Sequence, residues 1–562
     1  MQIKPLCFYC LHKLWVVLAL CLVLLATVVS VLRLTLPYAD SYKQQFEQVL
    51  SQQLGATVSI GQLSAGWRGT GPALLLQELR IQHAEAKPLS IKQTSIQLDF
   101  WKTLLSLKLS AERFELTGAR YELDADKLFA LPNAGSGPDM TLPALEQLFF
   151  RQLKAFSLSD SELVLVSSEH PAQILQIRHL DWRNAGDRHQ GRGELAIVGV
   201  TSNTINFILD FQGADLQQAQ GQLYLESADL DVLPWFAQYI PQSSRLQKAA
   251  VNFRAWADIS AGQFSRLQLE LADNSLHWQR AGQQHSVRLG PGQLLWTPVD
   301  GGWQLLSTAL TLADLDDSWP GLQLQLSRDG ADYLATLQDF PLAALEPLAQ
   351  LLAEDHQLLQ AILAHQPTGY LRKLQSRFNR EQWQLTGQIE QLSSRAVADI
   401  PGVQALDVRL AATAEQIWIG ISGEQQQLSW DGLFNNNWDY DQLQLQLLAR
   451  QTTSGWRIQV PMLQLQMADF QFAAQASLLL AEQPELALLA QLTGLDAAKA
   501  QQYYPQRYMP ARTRDYLSNA IESGQVQQAT VLWHGAFADY PFSAADGHFQ
   551  VYAGISDSTF RF

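Results

Sequence analysis

Eleven histidines are scattered along the 562 residues. None forms H-E-x-x-H or another ligand-spaced pair on an expected helix, so metallohydrolase chemistry has no footing. A serine nucleophile would need a G-x-S-x-G elbow. Nucleotide chemistry would need a Walker A loop or a G-x-G-x-x-G after a strand. The sequence has none of these. Gly69-Thr70-Gly71 and Gly191-Arg192-Gly193 lack a phosphate-loop context and are expected in turns. Asp316-Asp317 and Glu354-Asp355 read as solvated charges on a loop and a helix surface. Cys7 and Cys10 are spaced C-x-x-C, but without the βαβ setting of a redox motif or a second pair to hold zinc. No catalytic, cofactor or metal site is expected, and the chain is not expected to be an enzyme.

With chemistry unpromising, physical properties take over. The formal net charge is −15 and the charged fraction 17%, against about 25% in average soluble domains. Phosphate binding needs clustered Lys and Arg, so the acidic balance argues against nucleic acid. Glutamine fills many polar positions instead. The third cysteine, Cys21, is the last in the chain. A cysteine-free remainder of this size suits an oxidising compartment without any disulfide staple.

Residues 14–32 contain no charge and are flanked by Lys13 and Arg33. As a helix this run would be about 28 Å long, close to the thickness of a bilayer's hydrocarbon core. The short tail before it carries Lys4 and His12 but no acid, which predicts a cytoplasmic N-terminus. A cleaved signal peptide is the competing reading. Its apolar region spans about 7–15 residues and ends at a small-x-small site. This run is longer, and its nearest such triplet, Val28-Val29-Ser30, fits poorly. Beyond it, Tyr42, Phe46, Val49, Leu50 and Leu54 recur near a 3.6 period and Gly55 stands at a C-cap position. This predicts an amphipathic helix over residues 40–54. Its polar face lacks the Lys/Arg richness of a membrane-surface helix, so it is expected to cap the domain that follows.

From Thr57 onward the pattern alternates. Apolar residues occupy every second position in Ile205, Phe207, Leu209 and Phe211; in Leu267, Leu269 and Leu271; and in Leu322, Leu324 and Leu326. The same holds for Ile417, Ile419 and Ile421, and for Leu443, Leu445 and Leu447. Gln, Glu, Asn and Ser fill most places between. This is the signature of strands with one apolar and one wet face. Helices are expected over residues 142–152, 230–239, 343–365 (with Pro347 in the first turn) and 511–523. A compact core rarely exceeds about 250–300 residues, whereas a sheet that adds strands along one axis avoids that limit. Some thirty strands at ~4.8 Å each would reach on the order of 140 Å at most. Eleven of the sixteen tryptophans lie in or beside strand-like runs. Core packing is the expectation for any single one, and an apolar surface that meets lipid is the other reading. Periodicity alone favours a closed core.

Particular residues then become informative. Leu32 to Ile81 contains Val58-Ser59-Ile60-Gly61, Trp67-Arg68-Gly69 and Pro72 to Leu76. It resembles the opening of the YhdP branch of the AsmA-like family. Gly221-Gln222-Leu223-Tyr224-Leu225, Gln366-Pro367-Thr368-Gly369 and the stretch Tyr503 to Phe542 resemble later landmarks of that family. Each motif is weak alone; their order and spacing together are specific. The resemblance implies a mostly β fold: an elongated, twisted antiparallel sheet curled into an apolar groove, with an N-terminal transmembrane helix and a few inserted helices. The expected segments are a cytoplasmic tail (1–13), the span (14–32), a linker helix (33–55), the start of the groove (56–140), a groove segment with inserted helices (141–400) and its continuation (401–562). The resemblance also implies an inner-membrane-anchored periplasmic protein that moves phospholipid toward the outer membrane and maintains the envelope. Phospholipid, the inner membrane and outer-membrane or other envelope proteins are the implied partners. The five apolar sets above are the expected groove lining. A scaffold role in outer-membrane protein assembly is the alternative. Family members are about twice this long, so the chain is expected to represent the N-terminal half.

Overall fold

The computed structural model describes residues 4–68, 71–82, 88–98, 111–124, 153–166, 172–198, 204–214, 218–233, 245–280, 282–352, 357–398, 400–430, 433–434, 436–507, 509–542 and 546–561. The chain divides into two compact units, Met1–Trp235 with Val251–Leu269, and Phe236–Ala250 with Glu270–Phe562. It is mostly β, with few helices.

Helix α1 (Lys4–Thr35) extends past both ends of the uncharged run, because a nucleated helix gains one hydrogen bond for each residue added. It is long and apolar enough to cross a membrane. Most of its described side chains are exposed, Leu20 by 68%. A 3-10 turn (Leu36–Tyr42) leads into α2 (Lys43–Leu54), which ends at Gly55 in left-handed backbone, φ 61°, a conformation that costs glycine little.

Helix α2 caps the first strands through both its faces. Phe46 and Leu50 pack on a cluster that includes Val58, Ile60, Leu63, Leu76 and Ile91. Glu47 Oε1 accepts from the Ile60 amide at 2.7 Å, and Ser51 Oγ from the Val58 amide at 3.0 Å. Asp40 Oδ1 accepts from the Leu63 amide at 3.1 Å, and Lys43 Nζ donates to the Gly61 carbonyl at 2.8 Å. Open strand edges invite foreign pairing, and these side chains occupy this one. Glu47→Ala is therefore expected to cost about 2 kcal/mol, the worth of a hydrogen bond to a charged group. Amide exchange at Ile60 should speed up accordingly; unchanged exchange would remove the clamp.

In the first unit, nine successive strands from Gln62–Arg68 to Gln220–Asp231 each pair with the next. The expectation of a wholly antiparallel sheet needs one correction. Ala111–Asp124 and Ala155–Val166 run parallel, Leu116 opposite Leu158. A parallel pair needs a connection of a dozen or more residues, and residues 125–154 separate these two strands in sequence. In the second unit, eleven strands from Asp332–Pro341 to His548–Phe560 form an antiparallel ladder.

Several local expectations change. Gly191 and Gly193 lie inside strand Arg188–Ile197, not in a turn. A Cβ on Gly191 would come within 2.6 Å of the Trp182 ring. On Gly193 it would come within 2.8 Å of the Phe207 ring and 2.4 Å of the His179 carbonyl. These glycines make room for large rings on neighbouring strands. The helix expected over 343–365 is a 3-10 turn (Leu342–Ala344) followed by α3 (Leu345–Leu352) and α4 (Gln357–Ala364). Helix α5 (Ala511–Ala520) stops before Ser523 because Ile521 already pairs with Phe560. Leu230 and Asp231 end a strand rather than open a helix. Residues 142–152, Gly69-Thr70, Glu354-Asp355 and most of 230–239 lie outside the described residues.

Candidate functional site: apolar rows across the strands

Register decides whether alternating residues become a surface. In the second unit, Phe340, Leu371, Ile389, Val408, Ile421, Leu445, Leu463, Ala474, Ala490, Val531 and Val551 each stand opposite the next. Eleven strands thus contribute one apolar residue each to a single row. Ten inter-strand steps of ~4.8 Å make it about 48 Å along the sheet. Beside it runs a second row, two residues away on most strands and three away at Leu337 and Leu374: Leu324, Leu337, Leu374, Gly387, Leu410, Ile419 and Leu447. A third contains Trp296, Leu305, Leu326, Ala335, Ser376, Leu385, Ala412, Ile417, Ala449, Ile458, Leu478 and Leu486. The reverse face carries Gln323, Gln338, Lys373, Gln388, Arg409, Gly420 and Gln446 in equivalent register. One side of this ladder is apolar and the other mostly polar, Trp418 opposite Leu448 being an apolar pair on the polar side.

The first unit repeats the arrangement independently. Leu63, Leu76, Thr94, Leu116, Leu158, Leu180, Gly193, Phe207 and Leu225 form one row. Ala65, Leu74, Ile96, Phe114, Phe156, Trp182, Gly191, Leu209 and Leu223 form the row beside it. Its reverse face reads Gln62, Gln77, Gln93, Thr117, Ser159, His179, Glu194, Asn206 and Glu226. Thr94 is the one hydroxyl in the two apolar rows; it is buried and its Oγ1 has no hydrogen-bond partner among the described residues. A buried hydroxyl without a partner is costly, so Thr94→Val should stabilise the first unit by about 1 kcal/mol. A fall in melting temperature would show that the hydroxyl has a role.

The residues singled out from the sequence divide by depth. Phe211, Leu271, Leu322 and Leu443 are buried. Ile205, Phe207, Leu209, Leu269, Leu324, Ile417, Ile419, Ile421, Leu445 and Leu447 are half-buried. Leu267 and Leu326 are exposed. The structure brings Ile419 opposite Leu447, Ile421 opposite Leu445 and Ile417 opposite Ala449. Ile205, Phe207, Leu209 and Phe211 belong to the first unit, and the sets from Leu322 onward to the second. The tryptophans also divide. Trp182 and Trp278 are core residues, while Trp256, Trp383 and Trp418 are exposed.

One edge of the second unit's apolar face is closed. Leu443, Leu465, Phe472, Leu492 and Ala529 follow one another in register, and the 3-10 helix Ala497–Tyr503 packs on them through Ala497, Ala500 and Tyr503. Phe470 completes this wall, edge-on to Tyr503 at 4.9 Å. Burial pushes the phenols of Tyr440 and Tyr503 above their usual range, so both stay neutral where charge would be costly. The sequence reading missed this closure. Its signal was Gly494-Leu495-Asp496, where the Asp496 carboxylate caps the 3-10 helix by accepting from the Ala498 amide.

Among the described residues, no group of three or more His, Cys, Asp or Glu could hold a metal. The chain is 22% identical over 581 residues to the intermembrane phospholipid transporter YhdP of Escherichia coli (strain K12). The match covers 96% of this chain and 44% of that relative, so the chain spans less than half the relative's length. No solved structure matches it. The model of the YhdP protein family matches residues 1–562, and the chain belongs to that family.

Proposed function

We propose that this chain is an inner-membrane-anchored segment of a phospholipid conduit between the two membranes of a bacterial envelope. Helix α1 is the anchor, its N-terminal tail is cytoplasmic, and the strands lie in the periplasm. Lys4 and Lys13 before the apolar run support that topology. The observation that carries the reading is the registered apolar row, repeated in each unit and backed by a polar reverse face. Acyl chains lie along the apolar rows while headgroups stay in water. The lining is the half-buried part of the set named from the sequence, with Leu324, Ile419, Ile421, Leu445 and Leu447 at its centre in the second unit.

The mechanism is passive. Burying one CH₂ is worth about 0.8 kcal/mol, so exposing a whole acyl chain to water costs more than about 10 kcal/mol. A row of apolar contacts every ~4.8 Å removes most of that cost at each step. Net direction then comes from a gradient or from the envelope proteins that receive the lipid. The test is to extract the purified full chain and quantify phospholipid by mass spectrometry. Several phospholipids per chain are expected; a chain that carries none after mild solubilisation would sink the reading.

A further inference from the structure

We propose that phospholipid in the second unit is held in one orientation, with its phosphate at Arg328 and its acyl tails directed toward the Phe340–Leu371 edge. This rests on the conduit reading and adds a polarity to it.

Two residues beyond the Leu305–Leu326–Ala335 row, on the same face, stand Trp303, Arg328, Tyr333, Phe378 and Trp383, each opposite the next. Tyr333 and Phe378 stack at 5.4 Å with 13° between planes. The Arg328 guanidinium lies over the Tyr333 ring, 5.7 Å from its centre. Rings with an apolar body and a polar tip are the side chains that settle where hydrocarbon meets water.

Arg328 is the one charged side chain in the three apolar rows and this aromatic row. Its Nε donates to the Gly330 carbonyl at 3.0 Å, which fixes the guanidinium. The nearby Arg377 is engaged by Asp332 at 2.6 Å, whereas no described carboxylate pairs with Arg328. A planar fork held on an aromatic ring, free of a carboxylate and at the border of an apolar face, matches a phosphate diester in charge and shape.

The two edges of these strands differ in the way a one-way fit requires. At the aromatic edge Leu326, Phe378 and Trp383 are 41%, 41% and 42% exposed. At the other edge Phe340 and Leu371 are 6% and 9% exposed. There the 3-10 turn Leu342–Ala344 and α3 follow directly on the strand. Tyr333 to Phe340 spans seven residues, about 23 Å of strand, and the residues between on that face are apolar.

The experiment uses the full chain with phosphatidylglycerol vesicles containing one of two diazirine lipids, photoreactive at the headgroup or at the acyl terminus. The headgroup probe should label Trp303, Tyr333 and Trp383, and the acyl probe Phe340 and Leu371. Arg328→Gln should lower headgroup labelling about tenfold, the worth of one charge-assisted hydrogen bond, and leave acyl labelling in place. Arg328→Lys should retain part of it, and excess inorganic phosphate should not compete. Reversed or uniform labelling overturns the orientation while leaving the conduit standing. Competition by inorganic phosphate reduces Arg328 to a simple anion site and overturns the proposal. No labelling by either probe overturns the conduit reading itself.

Discussion

Leu445→Asp should abolish most phospholipid binding by the second unit while leaving the chain folded. Leu445 sits between Ile421 and Leu463 in the eleven-strand row and is half-buried. A carboxylate there must stay hydrated, and an acyl chain crossing it would strip that water at a cost of several kcal/mol. Each 1.4 kcal/mol is a factor of ten, so copurified lipid should fall by at least about tenfold. Folding should survive, because the site is only half-buried and the closed edge begins two residues further, at Leu443. The expected loss of stability is about 1–3 kcal/mol. Gln446→Asp changes the neighbouring residue on the polar face and should leave lipid content unchanged. A folded Leu445→Asp chain with normal lipid content would refute the role of this row.

A large stability effect is expected at Gly193. A Cβ there would meet the His179 carbonyl at 2.4 Å and the Phe207 ring at 2.8 Å. Backbone on one side and an aromatic in an apolar row on the other leave little room to yield. Gly193→Val should therefore destabilise the first unit by about 3 kcal/mol or more. Gly66→Ala is the control, since a Cβ at Gly66 meets nothing within 4 Å. Thermal unfolding should separate the two variants clearly. Equal melting temperatures would show that the ring of Phe207 moves aside at little cost.

These two sites mark what was legible in the sequence. Alternation at Ile417–Ile421 and Leu443–Leu447 was readable, because side-chain direction in a strand depends only on a period of two. Which row meets which was not, because register is set by turns and bulges distant from the apolar residues. The shift between Gln446 and Leu448 is one example: it re-aims the strand Gly455–Gln466 so that Leu463 meets Leu445. Gly191-Arg192-Gly193 was misread as a turn because glycine pairs mark turns far more often than they relieve rings on adjacent strands. The parallel pair at Leu116 and Leu158 was hidden for a related reason, since local pattern is the same in either strand direction. The aromatic edge at Trp303, Tyr333, Phe378 and Trp383 was present as scattered rings, and only pairing aligned them. Helix α2 was the easiest element: its period, its Gly55 cap and its polar face all pointed to one structure.

The most direct test of the apolar face places a photoreactive amino acid singly at Leu410, Ile419 and Leu447, and at Arg409, Gly420 and Gln446 on the reverse face. The chain is then illuminated with phospholipid vesicles and adducts are read by mass spectrometry. Phospholipid adducts at the first three positions and none at the second three are predicted. Equal labelling of both faces, or adducts to the polar face alone, would contradict the account.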